Sequence, residues 1–374
     1  MKKSYLMIAA AVLTFAACST NDVINEVQTI DEEVAISFDG KYISKVTRAE
    51  LTQSWFTTTD NKFGVEGFKA SSQIFSNEQV NWNGSDWVHT TVRFWDKSSD
   101  EYSFYAYAPY DVDNTSWNHT FDATNKKYTF TSVPVIKDID AAANDADIAI
   151  ATPRTGVSYL NGCTHQSVGG HGAGHVEFDF NHILSKLAFK VKTSVPTDQA
   201  EIKVTAIELN FPSGAATWTQ TAAGAVAGTT SYTSYTAAET GTITYETPVF
   251  SGTTAALNSS AADIVDASSS SNKAKTFIVA PVAASGDGTE HIFGIKVTYT
   301  LKYLADNITE TGCVATGILG GGSSPTEAPG QYKPAQNSSY VVTIDVNPAQ
   351  IKFCVDEVVG WDTVTGRDVT VSSN

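Results

Sequence analysis

Between Phe293 and Tyr303 the chain alternates: Phe293, Ile295, Val297, Tyr299, Leu301 and Tyr303 are apolar or aromatic, and Lys296, Thr298, Thr300 and Lys302 stand between them. A period of two sends successive side chains to opposite faces of a strand and does not fit the 3.6-residue period of a helix. The same alternation returns in Tyr340, Val342, Ile344 and Val346, in Val176, Phe178 and Phe180, in Leu187, Phe189 and Val191, and in Val34, Ile36 and Phe38. Turn residues punctuate these runs. Asn83-Gly84, inside QVNWNGSDWVH, is a hairpin signal, and Pro109 ends the two-faced apolar run EYSFYAYA. No amphipathic helix exceeds about three turns, and NHILSKLAF is expected to form at most a short helical turn. Charged residues make up only 17%, while Thr, Ser, Tyr and Phe are abundant, which suits pleated surfaces. The expectation is an all-β chain with two β-sandwiches.

The N-terminal stretch carries an address. Met1-Lys2-Lys3-Ser4 precede an apolar run from Tyr5 to Ala17, and Cys18 follows directly. A charged start, a short apolar stretch and small residues before a cut site are expected to form a secretory signal over 1–17. The run is too short to cross a bilayer as a helix. Ala16-Ala17-Cys18 resembles a lipobox, with Phe15 in place of the usual Leu or Val. Cys18 is therefore expected to be acylated and to tether the exported chain to a membrane. Residues 19–33 are polar and acidic and read as a flexible tether to the strand at Val34, Ile36 and Phe38. Further along, SVPTDQAE at 194–201 reads as a linker. It divides an N-terminal sandwich over 49–195 from a C-terminal one over 196–374.

Few residues carry chemistry. The net charge of −16 lacks a basic nucleic-acid footprint. Neither a phosphate loop nor a nucleophile elbow is present, and Ser270-Ser271-Asn272-Lys273 spells SxxK in a Ser-rich loop where nothing desolvates the lysine. Cys163, His165, His171, His175 and His182 are thiol and imidazole ligands in principle. Their spacing fits no compact site, and Gly169, Gly170, Gly172 and Gly174 leave them without the oriented second shell a metal needs. They read as a solvated loop, with His182 as a core or edge histidine. Besides Cys18 there are Cys163, Cys313 and Cys354, an odd number compatible with one bridge and a free thiol or with three buried thiols. Trp82, Trp87, Trp95, Tyr102, Phe104, Tyr105 and Tyr107 read as sandwich core in preference to a sugar-stacking platform.

Taken in order, the lipobox at Cys18, KVTRAEL around Arg48, VRFWD with EYSFYAYAPY, FNHILSKLAFKV and NSSYVVTIDV resemble the Bacteroidales fimbrillin-like family, the lipoprotein-derived pilins of type V fimbriae. The resemblance implies two tandem transthyretin-like β-sandwich domains and an assembly role with no enzymatic activity, cofactor or metal. It implies an arginine-specific cut of the Arg48-Ala49 bond, removing residues 18–48 and with them the strand of Val34, Ile36 and Phe38. An emptied sheet edge favours strand addition. The donor expected is the C-terminal tail of another subunit, with Val364, Val369 and Val371 as knobs. The implied partners are other fimbrial subunits in a homopolymer, a lipid anchor in the precursor, and a host or bacterial surface ligand. The implied place is a fimbrium at the outer membrane. Asp362-Thr363-Val364 also resembles an O-glycosylation acceptor. Two alternatives stand beside this reading: a monomeric cell-surface carbohydrate-binding lipoprotein, and a tip or anchor subunit of the same fimbria. A free, extended tail argues for a shaft subunit, and a tail folded into its own sheet argues for the others.

Overall fold

The computed structural model describes residues 33–42, 61–110, 117–138, 147–161, 173–210, 213–236, 248–251, 254–260, 262–263, 276–283, 293–319, 334–347, 352–358 and 370–372. The chain is all-β there. In chain order the first strands are β1 (Ser37–Tyr42), β2 (Lys62–Lys69), β3 (Ser72–Trp82), β4 (Trp87–Val88), β5 (Tyr102–Ala108), β6 (Asn118–Asp122) and β7 (Lys127–Pro134). Next come β8 (Ile136–Asp138), β9 (Ala149–Ala151), β10 (Arg154–Val157), β11 (His175–His182), β12 (Ser185–Lys192), β13 (Ala200–Asn210), β14 (Ser213–Gln220) and β15 (Gly228–Thr236). The remainder are β16 (Pro248–Ser251), β17 (Ala262–Asp263), β18 (Thr276–Val279), β19 (Phe293–Tyr303), β20 (Ile308–Leu319), β21 (Ser338–Asp345), β22 (Lys352–Val358) and β23 (Thr370–Ser372).

They form four sheets. One runs β1-β11-β9-β5-β2-β3-β4, with β10 beside β5, and a second runs β15-β14-β7-β6. The third runs β23-β22-β21-β12-β18-β8, with β17 beside β12, and the fourth runs β16-β13-β19-β20. The alternation in β19 has the consequence expected of it. Ile295, Val297, Tyr299 and Leu301 are buried in one core with Leu187, Phe189 and Val191 of β12 and Val342 and Ile344 of β21. A second core joins Phe68, Tyr105 and Tyr107 of the first sheet to Phe130 and Trp218 of the second. A third lies on the other face of the first sheet, around Phe63, Phe104 and Phe178. Because β5 carries Phe104 into one core and Tyr105 and Tyr107 into another, both its faces are apolar, as its sequence reads.

At three points local reading and pairing differ. NHILSKLAF forms no helical turn. It is the end of β11, a two-residue link and the start of β12, where Ile183 N–H donates to Ile148 O at 2.9 Å. The two-residue alternation beyond Leu184 outweighs local helical preference once both faces have partners. Strand pairing also crosses residue 195 in both directions. β12 pairs in parallel with β21 from Ser185↔Ser338 to Lys192↔Asp345, and β14 pairs with β7 through Trp218↔Phe130. A division at 195 thus cuts through shared sheets, and Val34–Asn374 is one compact unit. At the tail, β23 pairs antiparallel with β22, Phe353 opposite Val371. This places Val371 in a short edge strand on its own sheet, whereas Val364 and Val369 lie outside the described residues.

Candidate functional site

The segment Val34–Tyr42 is held on two sides. On one, β1 runs parallel to β11 from Ser37↔His175 to Tyr42↔Phe180. On the other, Ile36 N–H donates to Arg93 O at 2.7 Å, Trp95 N–H donates to Val34 O at 2.9 Å, and Ala35 bridges Phe94. The segment therefore ties the β11 edge of the first sheet to the chain that follows β4, so that the sheet wraps around its own apolar face. Into that face it inserts Ile36 and Phe38, each 1% exposed, with Val34 packed at the margin. The Phe38 ring meets Phe75 edge-on at 5.1 Å, Phe104 at 5.6 Å and Phe178 at 5.9 Å. The alternation at Val34, Ile36 and Phe38 thus points these three side chains inward, as the sequence reads.

Two features of the seat have no sequence signal. Gly174 has φ +99, in the region glycine favours, and a Cβ there would stand 3.0 Å from Val34 Cγ1. Its carbonyl accepts from Ser37 N–H at 3.2 Å and from Trp95 Nε1–H at 2.8 Å, joining strand, β11 and the opposite wall at one oxygen. The other feature is His89, whose Nε2 lies 3.1 Å from Ile36 O. Beside it Glu78 accepts from the N–H groups of Thr90 and Thr91 at 3.0 and 2.8 Å and from the Thr91 hydroxyl at 2.5 Å. Burial pushes the Glu78 carboxyl up, but the Thr91 and Thr90 hydrogen bonds and nearby His89 outweigh it and hold the group below the ordinary carboxylate value.

Of the residues singled out in the sequence, Cys18, Arg48, Ala49, Cys163, His165, His171, Thr363 and the Ser270–Lys273 loop lie outside the described residues. Cys313 is a free thiol partly packed against the core of the third and fourth sheets. Trp95, Tyr102, Phe104, Tyr105 and Tyr107 are buried. Trp82 and Trp87 are half-buried and meet at 62° between their planes, so they do not form a flat stacking face. Among the described residues no group of three His, Cys, Asp or Glu side chains could hold a metal ion. His175 and His182 sit apart, at the two ends of β11. His175 lies 3.2 Å from Asp39, and His182 is fully buried with Nδ1 2.9 Å from Asp147 Oδ1.

Burial, and after it the charge of Lys186, push His182 well below its ordinary value. The folded chain therefore carries this imidazole neutral while the unfolded chain protonates it below about pH 6.5. More protons bind to the unfolded state on the acid side, so stability falls as pH falls through that value. The loss expected from this one group grows as the pH falls further below that value. Urea unfolding over a pH series measures it, and His182→Gln should flatten the slope. An unchanged slope in that variant would assign the acid sensitivity elsewhere.

Comparison with known proteins finds a family model, a curated relative and solved structures that this chain resembles. A family model described as fimbrillin-like matches residues 47–365. Fimbrium subunit Fim1C of Phocaeicola vulgatus is 28% identical over 226 residues, 56% of this chain and 56% of that protein. The match thus spans little more than half of that relative's length. A fimbrial protein from Bacteroides vulgatus, known as a crystal structure, superposes with a TM-score of 0.48 at 16% identity, covering 88% of this chain and 99% of that one.

Proposed function

The chain belongs to the fimbrillin-like family, and from that premise we propose that it is a structural subunit of a fimbrium, assembled by exchange of its N-terminal strand. The observation that carries the reading is the burial of Ile36 and Phe38 by a segment that joins two walls of one sheet. A strand so placed, upstream of Arg48, leaves an open seat when removed. The seat offers unpaired backbone groups and an apolar floor, which is what strand addition requires. In this reading Cys18 carries the lipid of an outer-membrane precursor and an arginine-specific protease cuts Arg48-Ala49. An extended segment of another copy then fills the seat, and its tail with Val364, Val369 and Val371 is the candidate donor. The work is adhesion and polymer building at the cell surface, and no catalytic step is assigned to it.

The test uses purified full-length chain and an arginine-specific protease. Wild type should yield a ladder of oligomers on native gels, and Arg48→Ala should remain monomeric. Equal polymerisation of the two would reject the mechanism. A second reading, a tip or anchor subunit of the same fimbria, is supported by the pairing of Thr370–Ser372 with β22, which keeps that part of the tail on its own sheet. The N-terminal residue of the protein recovered from cells separates the two. Free Ala49 marks a processed shaft subunit, and acylated Cys18 marks an anchor.

A further inference from the structure

We propose that His89 is a main-chain clamp for whichever strand occupies the N-terminal seat, and that Glu78 positions it. The inference rests on the strand-exchange reading for its biological meaning, but its structural content concerns the intact chain. His89 lies in a strongly polar stretch, His89-Thr90-Thr91, yet its side chain is 10% exposed. It is enclosed by rings, with Phe38 at 5.1 Å and Phe75 at 5.7 Å between centroids. A buried imidazole in an aromatic cage is costly unless its polar atoms find partners. The partner of Nε2 is not a side chain but the carbonyl oxygen of Ile36, at 3.1 Å. A carbonyl only accepts, so Nε2 carries the hydrogen. The bonded atom belongs to the backbone between two inserted knobs, Ile36 and Phe38.

Position makes this contact selective for a strand while leaving it indifferent to sequence. Ile36 N–H already donates to Arg93 O on the same wall. With His89 on the carbonyl, both main-chain groups of Ile36 are bonded to the segment 89–93. Any extended chain in the same register presents the same two groups, whatever its side chains. The aim of His89 comes from its neighbours. Glu78, on β3, accepts from the N–H groups and hydroxyls of both Thr90 and Thr91, with distances from 2.5 to 3.2 Å. That carboxylate fixes the corner that carries the imidazole, and its nearer oxygen stands 3.7 Å from His89 Nδ1. When the seat is empty His89 Nε2 exchanges this carbonyl for water, so the occupied seat gains the net stabilisation of one hydrogen bond. The clamp thus favours an occupied seat over a vacant one.

The experiment uses the uncut full-length chain and amide hydrogen exchange resolved by residue, so it needs neither cleavage at Arg48 nor assembly. His89→Phe keeps a ring in the cage and removes the donor. The amides of residues 36–42 should then exchange about two- to tenfold faster, the span expected for one lost hydrogen bond. Amides of β13 and β19 should not change. His89→Gln, which retains an amide donor, should restore at least half of the lost protection. Glu78→Gln should accelerate the same amides, and in the His89→Phe background it should add little, because both act through one contact. Unchanged protection in His89→Phe overturns the proposal. So does failure of His89→Gln to recover any protection, and so does full additivity of the two substitutions. If His89→Phe does not fold, the same pattern in Glu78→Gln alone decides, and protection of 36–42 equal to wild type there overturns it.

Discussion

Phe38→Ala is expected to lower the unfolding free energy of the full-length chain by about 3–5 kcal/mol, the range for removing a fully buried phenyl ring. Phe38 precedes most of the folded chain, in a stretch whose upstream neighbours are polar, and a residue there is ordinarily tolerant of change. Here the ring is 1% exposed and touches Phe75, Phe104 and Phe178, side chains from β3, β5 and β11. These three strands are not adjacent in the sheet, so the cavity left by alanine is walled by strands braced by their own neighbours. It cannot collapse cheaply, which argues for the upper part of the range. Val34→Ala, at the margin of the same core, should cost less than half as much. Denaturant titration of both variants reads the effect. A Phe38→Ala loss below about 1 kcal/mol would mean that the strand is an accessory to the core, and the seat would lose its claim as a site.

How far such a role can be read from sequence depends on which interactions are local. The inward set Val34, Ile36 and Phe38 follows from alternation alone. So does the split of β19 into a buried row and a half-buried row, because a strand's two faces are fixed by its own residues. The turn at Asn83-Gly84 is local too, since Asn83 Oδ1 accepts from Ser85 and Asp86 N–H at 2.9 and 2.8 Å and Gly84 takes φ 106. Partner choice is not local. β12 follows β11 after only two residues, yet it leaves that sheet to lie between β18 and β21. Leu187, Phe189 and Val191 would bury equally well against several other strands. Strand pairing across residue 195 is beyond local reading for the same reason, because composition marks the loop but not the sheet that the strands beyond it enter. His89 is invisible in sequence for a further reason. Its partner is a backbone oxygen 53 residues away, and backbone atoms leave no trace in residue identity.

Cutting the Arg48-Ala49 bond is expected not to release the fragment that it creates. Ile36 and Phe38 are fully buried and Val34 partly so. At about 1.5–3 kcal/mol for each fully buried side chain of this size, the three together hold the strand by about 4–8 kcal/mol. The hydrogen bonds to Arg93, Trp95, Gly174 and His89 add to this. The sum is comparable with the whole stability of an ordinary domain, about 5–15 kcal/mol. A body stripped of this strand in water would therefore be near unfolding, and an assembly route through an empty seat would lose subunits to aggregation at the exposed edge. The old strand must stay until a new one displaces it. A chain cut quantitatively after Arg48 should thus retain the fragment through gel filtration and in native mass spectrometry. It should lose the fragment when a synthetic strand spanning Val34–Tyr42 is added in excess, or at denaturant concentrations that also unfold the body. In Phe38→Ala the fragment should escape without competitor, since the largest of the three knobs is missing. Rapid spontaneous loss from the wild-type chain, leaving a folded monomer, would refute this coupling and would show that the seat is stable while vacant.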